Sequence, residues 1–449
     1  MPRLLDGDGV PPEPQSGLNV MVREAIRDAL DELLLIWRSV PTLDYQKVHR
    51  PTGPGAFEIR IEPYRGWRTS MTFYDTPTVA PIVAKMRATL SSHQPELVGC
   101  CYFPGGMHAI FDTTGVALHW CREVVARMDR GVTQHVAIDE LLDDLEYLLV
   151  KNRMSVDVFT PLYGLKFPDG VYEINLDEDV SLVELSNEFF SELTNADIEM
   201  APFDTVAPHN LGTAVRLRTT AEVRLEKQLI EGIEMDTEVH RRAQEVLTNV
   251  LVTLHVVASG QAAPVGTYLR YERTPLPPLS GANGRHPLST NPYASMHLEA
   301  AALIEIQRTY RAVIDAPANV RIAAARLHDA VRRTSPVDAL LDSIIGLEVL
   351  LNPRDDRELS FRVALNYAFM GPQKERHDRY VVLKNIQSMR NKVVHGGLNM
   401  HSKEAIKLVE QADLAKACLR ETLNEFLFNP IFSRGNLTAE FWTSLVMPS

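Results

Sequence analysis

The chain has 449 residues, a hydrophobic fraction of 45%, a charged fraction of 23% and a formal net charge of −12. That length supports two or three domains with cores of their own. The acidic balance excludes a surface that coats nucleic acid throughout, yet 17 Lys and Arg against 14 Asp and Glu between Ala318 and Pro430 give the C-terminal part an excess of +3 and leave −15 elsewhere.

Four cysteines, Cys100, Cys101, Cys121 and Cys418, fall in no zinc-ligand spacing. They predict a reducing, cytoplasmic setting and no metal centre. The opening MPRLLDGDGVPPEPQSG lacks the apolar core of a signal peptide. The most apolar run, Val246 to Ala258, is shorter than the ~20 residues of a membrane span, so no membrane association is expected.

Residues 1–16 read as a flexible tail. Leu18 to Val40 has the apolar spacing of an amphipathic helix, and FEIRIEP, after the breaker-rich RPTGPGA, alternates as a strand. ELVGCCYFPGGMHAIFD predicts two strands around a Pro104-Gly105-Gly106 turn. Helices follow around ALHWCREVVARM and from Gln134 to Lys151. The second carries Asp139, Glu140, Asp143, Asp144 and Glu146 on a face expected to be solvated. In LYGLKFPDGVYEINLDEDVSLVELS, apolar residues alternate on both sides of Pro168-Asp169-Gly170, which predicts a hairpin. Asp177 to Asp179 read as a strand-end turn. TAVRLRTTAEVRLE and GTYLRYERT are further strands, with a buried helix from Arg241 to Ala258 between them.

Residues 17–155 and 156–274 are thus an N-terminal and a middle α+β region, and residues 275–292 a linker or long loop. Beyond it the pattern is helical. Helices are expected at Ser295–Ile314, Val320–Arg333, Pro336–Leu351, Glu358–Met370, Arg376–His395 and Ser402–Phe428. Pro317, Pro336, NPRDD, GPQ and HGG punctuate them, as in an all-α bundle over residues 293–430. Residues 431–449 form a tail in which Phe441 and Trp442 are expected to pack back. The fold class is α+β: a mixed N-terminal region followed by a helical bundle.

The stretch SMRNKVVHGG, Ser388 to Gly397, concentrates chemistry at a helix end. On a continuous α-helix, positions five apart differ by about 140°, so Arg390 and His395 would diverge. Gly396 and Gly397 supply a left-handed turn, which is expected to let His395 swing toward the Arg390 face. Such a pair suits RNA cleavage. The 2′-OH is a built-in nucleophile, a histidine can exchange its proton, and an arginine fork can hold the phosphate and its developing charge. Asn391 could orient either group, and the scheme requires no metal. Spacing alone also fits a solvated arginine beside a helix-capping histidine.

Glu348 shares a face with Leu341, Ile344 and Ile345, and Arg362 stands in an almost wholly apolar helix. Both want partners, and a structural Glu348–Arg362 salt bridge is expected. His255, in an apolar helix, reads as a satisfied core histidine. His108, beside glycines and near Cys100 and Cys101, reads as a strand residue at a hairpin turn rather than a catalytic base. No GxSxG, HExxH, GxxxxGK[ST] or GxGxxG motif opens another chemistry.

The stretches LLDSIIGLEVLL, ELSFRVALNYAFM and LKNIQSMRNKVVHGG, in that order and spacing, resemble the HEPN domain family, in particular its Apea-like branch. The resemblance covers Asp338 to Gly397. It implies a helical bundle that dimerises so that two R-x4-H motifs face one cleft. It also implies a metal-independent endoribonuclease without a cofactor, serving in defence, toxin or abortive-infection systems. Arg390 and His395 would be the catalytic pair, Asn391 the supporting polar residue and Lys392 a contact to RNA, while Glu348 and Arg362 match supporting positions. The expected partners are RNA, a second copy of the chain, and a trigger sensed by the N-terminal region. A second reading is a non-catalytic nucleotide- or RNA-binding scaffold of the same domain type.

Overall fold

In a computed structural model, residues 17–41, 44–53, 56–64, 67–95, 97–98, 101–102, 109–110, 113–129, 131–185, 212–223, 225–226, 237–264, 266–270, 275–276, 281–285, 296–352, 359–396, 403–433 and 437–446 are described. The expected tail at 1–16, the Pro104–Gly106 turn, His108, Gly397 and most of the 275–292 connection lie outside them.

The first part mixes helices and strands. α1 (Val20–Ser39) leads into the antiparallel pair β1 (Asp44–Gly53) and β2 (Ala56–Tyr64), followed by α2 (Trp67–Tyr74) and α3 (Val79–His93). The short strands β3 (Cys101–Tyr102) and β4 (Ala109–Ile110) pair antiparallel before α4 (Thr113–Asp129) and α5 (Gln134–Lys151). Next come β5 (Arg153–Tyr163), β6 (Leu165–Lys166), β7 (Glu173–Asn175), β8 (Val180–Glu184), β9 (Thr213–Glu222) and β10 (Leu225–Glu226). α6 (Thr237–Val257), β11 (Ala263–Pro264), β12 (Gly266–Arg270), β13 (Gly281–Arg285) and β14 (Met296–His297) complete this part. Its main sheet has the order β13-β12-β5-β9-β8-β7, with β11 also on β5, and every pairing is antiparallel.

The rest is helical: α7 (Ala300–Ile314), α8 (Ala318–Arg332), α9 (Pro336–Leu351), α10 (Leu359–Met370), a 3₁₀ turn at Gln373–Glu375, α11 (Arg376–Val394), α12 (Lys403–Phe428) and α13 (Ala439–Val446). The chain is therefore α+β, and these helices begin and end close to where periodicity and punctuation put them. Local chemistry sets the ends. The Ser335 hydroxyl accepts from the Asp338 backbone N–H at 3.3 Å, and Pro336 opens α9, where a missing N–H costs nothing. At the other end of α9, the buried Asn366 amide donates to the Leu351 carbonyl at 2.7 Å and satisfies one of its orphan acceptors.

Two apolar cores result. The first joins α1, α3, α4 and α5 to the main sheet, so the regions at 17–155 and 156–274 share one interior. The second fills the bundle and takes in Phe432 and Trp442, whose rings stack with centroids 6.0 Å apart. Phe441 meets Trp442 edge-on at 5.3 Å, so the tail does pack back. Two helices belong to both cores. α7 gives Ile306 and Tyr310 to the first and Val313 to the second, and α6 gives Leu251 to the first and Val252 and Val256 to the second.

Two expectations are corrected. Pro168–Gly170 does turn, with Gly170 at φ +80° and the Val171 N–H bonded to the Pro168 carbonyl. The strands beside it do not pair with each other. β6 pairs in parallel with β14, and β7 forms its hairpin with β8. Asp177 makes that second turn, its carboxylate accepting from the N–H groups of Asp179 at 2.9 Å and Val180 at 2.6 Å. The acidic face of α5 keeps solvent exposure, from 33% at Asp139 to 67% at Asp143, but it is also an ion-paired seam, which a merely solvated face is not. Arg23 of α1 meets Asp143 and Glu146, Arg27 meets Asp139, and Arg127 of α4 meets Asp144.

Candidate functional site

α11 carries the R-x4-H motif and packs on α10 and α12 through the buried Leu383, Ile386 and Met389. Its last helical residue is Val394. His395 caps it with φ −92° and ψ 10°, its N–H bonded to the Asn391 carbonyl at 3.0 Å. The left-handed turn starts one residue later, at Gly396, with φ +69°. His395 therefore keeps the helical register, and the expected swing toward Arg390 does not occur within one chain. The two side chains leave α11 about 140° apart.

They belong to different surfaces. His377, Val381, Lys384, Ser388, Asn391 and His395 recur at intervals of three or four, and each is exposed. His395 thus ends a solvent-facing stripe that runs the length of α11. Arg390 is half-buried on the flank that faces α9. Its guanidinium donates to the Asn391 side-chain oxygen at 3.2 Å. Lys392, also exposed, reaches Glu404 of α12 at 3.1 Å.

Glu348 is the acid behind Arg390. Burial raises the pKa of the Glu348 carboxyl, and the charge of Arg390 pulls it back down. The cation acting on Glu348 is thus Arg390, where the sequence pointed to Arg362, which lies half-buried on α10. The reason is register: α9 packs on α11, a tertiary contact that no single-helix pattern displays, and this brings the charge of Arg390 within reach of Glu348.

Sequence reasoning missed three polar clusters around this site. Asp342, buried on α9, is held by Arg326 at 3.0 Å and Arg333 at 2.8 Å. An acid between Leu341 and Ile344 in an apolar helix was the available signal. Tyr367 donates to Glu421 at 2.6 Å, and Arg379 bonds to the same carboxylate while lying 4.1 Å over the Tyr367 ring, which ties α10, α11 and α12 together. His255 is buried but not alone: its Nδ1 lies 3.2 Å from Nδ1 of His328 on α8.

Among the described residues, no helix is long and apolar enough to cross a membrane. No family model, no curated protein and no solved structure matches this chain.

Proposed function

We propose that the chain is a metal-independent endoribonuclease whose site is completed by two copies of the bundle. The observation that carries this reading is the division of labour on α11. Arg390 is half-buried, bonded to the Asn391 side-chain oxygen and within the electrostatic reach of Glu348, whereas His395 stands exposed at a helix end. An arginine held in that way suits a phosphate clamp, because the fork is fixed before the ligand arrives. An exposed imidazole at a turn suits proton transfer to a substrate.

The 140° divergence gives the second copy its role. Docking the His395 end of one copy against the Arg390 flank of the other brings the two groups together. One imidazole removes the 2′-OH proton, the 2′ oxygen attacks phosphorus, and the bond to the 5′ oxygen breaks. That oxygen takes a proton from an imidazolium, and the arginines stabilise the added negative charge. The products are a 2′,3′-cyclic phosphate and a 5′-hydroxyl. Lys392 and Lys384 add contacts to the strand. The N-terminal region acts as sensor or restraint in a defence, toxin or abortive-infection setting.

The test is complementation with end-group analysis. Arg390→Ala and His395→Ala proteins, each inactive, regain cleavage when mixed, because the mixed dimer holds one intact Arg–His pair. The ends are 2′,3′-cyclic phosphates. Permanent inactivity of the mixture excludes the shared site, and 3′-hydroxyl ends exclude the 2′-OH route. The non-catalytic scaffold reading predicts RNA binding with no cleavage in any mixture.

A further inference from the structure

A pocket of about 320 Å³ opens where α5 ends and β5 begins, far along the chain from the R-x4-H motif. Its volume is at the lower end of the about 300–1,000 Å³ of small-molecule sites. It admits one small ligand and not a nucleic-acid strand.

Two arginines on its wall, Arg153 and Arg218, are exposed, and neither guanidinium has a partner among the described residues. Arg218 stands in register with Asp157, four residues along β5 from Arg153. Their backbones are thus about 13 Å apart, so the two arms reach a ligand from opposite ends. Ser155, also exposed, lies between them on the same face of β5. Free guanidiniums and a hydroxyl recognise an anion, and phosphate above all.

A bare anion does not suit the rest of the wall. Asp144 lines the pocket from α5, its charge balanced by Arg127 at 2.6 Å. Arg127 is 1% exposed; its Nη1 faces Glu140 at 3.5 Å, and its Nε has no hydrogen-bond partner among the described residues. Tyr147 adds a half-exposed aromatic ring. A carboxylate acceptor and an aromatic face suit hydroxyls and a planar heterocycle.

We propose that this pocket binds a ribonucleoside monophosphate. The phosphate lies between Arg153 and Arg218, the ribose hydroxyls donate to Asp144, and the base lies against Tyr147. The ligand also meets Pro275, whose carbonyl accepts from the buried Trp120 Nε1–H at 2.6 Å.

The proposal is independent of the ribonuclease reading, and calorimetry on the full chain tests it. AMP, GMP, CMP and UMP are titrated separately, with inorganic phosphate and adenosine as controls. At least one monophosphate binds at one site per chain, about ten-fold or more tighter than either control. Arg153→Ala combined with Arg218→Ala weakens it by about ten-fold or more, and Ser155→Glu, which adds a negative charge with both arginines intact, weakens it likewise. Arg390→Ala with His395→Ala leaves it unchanged. No binding of any monophosphate up to about 1 mM, equal binding of inorganic phosphate, unchanged binding by the double arginine or Ser155→Glu variant, or loss in the Arg390/His395 variant would each overturn it.

Discussion

The Nδ1 atoms of His255 and His328 stand 3.2 Å apart, with the rings stacked at 5.1 Å, where α6 of the first part meets α8 of the bundle. Arg332 donates to His328 Nε2 at 3.3 Å, so His328 carries its proton on Nδ1 and gives it to His255. The His255 proton then sits on Nε2, which has no partner among the described residues. Arg420 adds a second cation, its Nε donating to the His255 carbonyl at 2.8 Å. Both rings are held neutral. Burial and Arg332 push His328 down to about 4, and burial with His328 and the two arginines pushes His255 well below its usual range.

This junction should fail in acid. A histidine depressed in the folded state binds fewer protons than in the unfolded chain. Its stabilisation is complete above the unfolded value of about 6.5 and is lost as pH falls toward about 4. Urea unfolding is expected to show a loss on the order of 2 kcal/mol between pH 7 and pH 5. Replacing both histidines by leucine should flatten that slope. A slope that persists would place the acid sensitivity elsewhere.

Glu348→Gln should separate stability from activity. The raised carboxyl pKa means that burial penalises the charge, so the neutral amide leaves the fold at least as stable at pH 7. It also removes the negative charge that acts on Arg390, and cleavage should fall by about 10–100-fold. Equal melting midpoints with equal rates would remove Glu348 from the positioning role.

Asp342 gives an asymmetric prediction. Removing the acid leaves Arg326 and Arg333, 38% and 49% exposed at their side chains, free to take water. Asp342→Ala should cost about 1–3 kcal/mol. Replacing both arginines by alanine strands a buried carboxylate and should cost about 3–5 kcal/mol. The order of the two unfolding midpoints decides it.

Gly346 of α9 packs against Leu419 of α12. A Cβ there would lie 2.7 Å from Cδ2 of Leu419, a fully buried side chain. The helix-propensity gain of about 1 kcal/mol from Gly346→Ala is outweighed by overpacking of about 1–3 kcal/mol. The variant should melt below wild type, and a rise would mean that Leu419 has room to yield.

The helices of the bundle were legible because their signals are local: apolar spacing, Ser335 and Pro336 at one start, Gly396 at one stop. What the sequence hid was set by distant residues. The seam on α5 depends on Arg23 and Arg27, 120 and 112 residues before the acids they bond. The partner of β6 is β14, more than a hundred residues on, so a sound turn at Pro168–Gly170 still pointed to the wrong hairpin. At the candidate site the motif itself was visible. The electrostatic reach of Arg390 to Glu348 was not, because it depends on how α11 packs against α9, and the divergence of His395 was not, because the left-handed turn begins only at Gly396.

The most direct measurement is cleavage of total RNA in excess EDTA by wild type and by His395→Ala. The proposed mechanism predicts that wild type cuts without divalent metal and that the variant does not. Equal cutting by both, or cutting that EDTA abolishes, would contradict it.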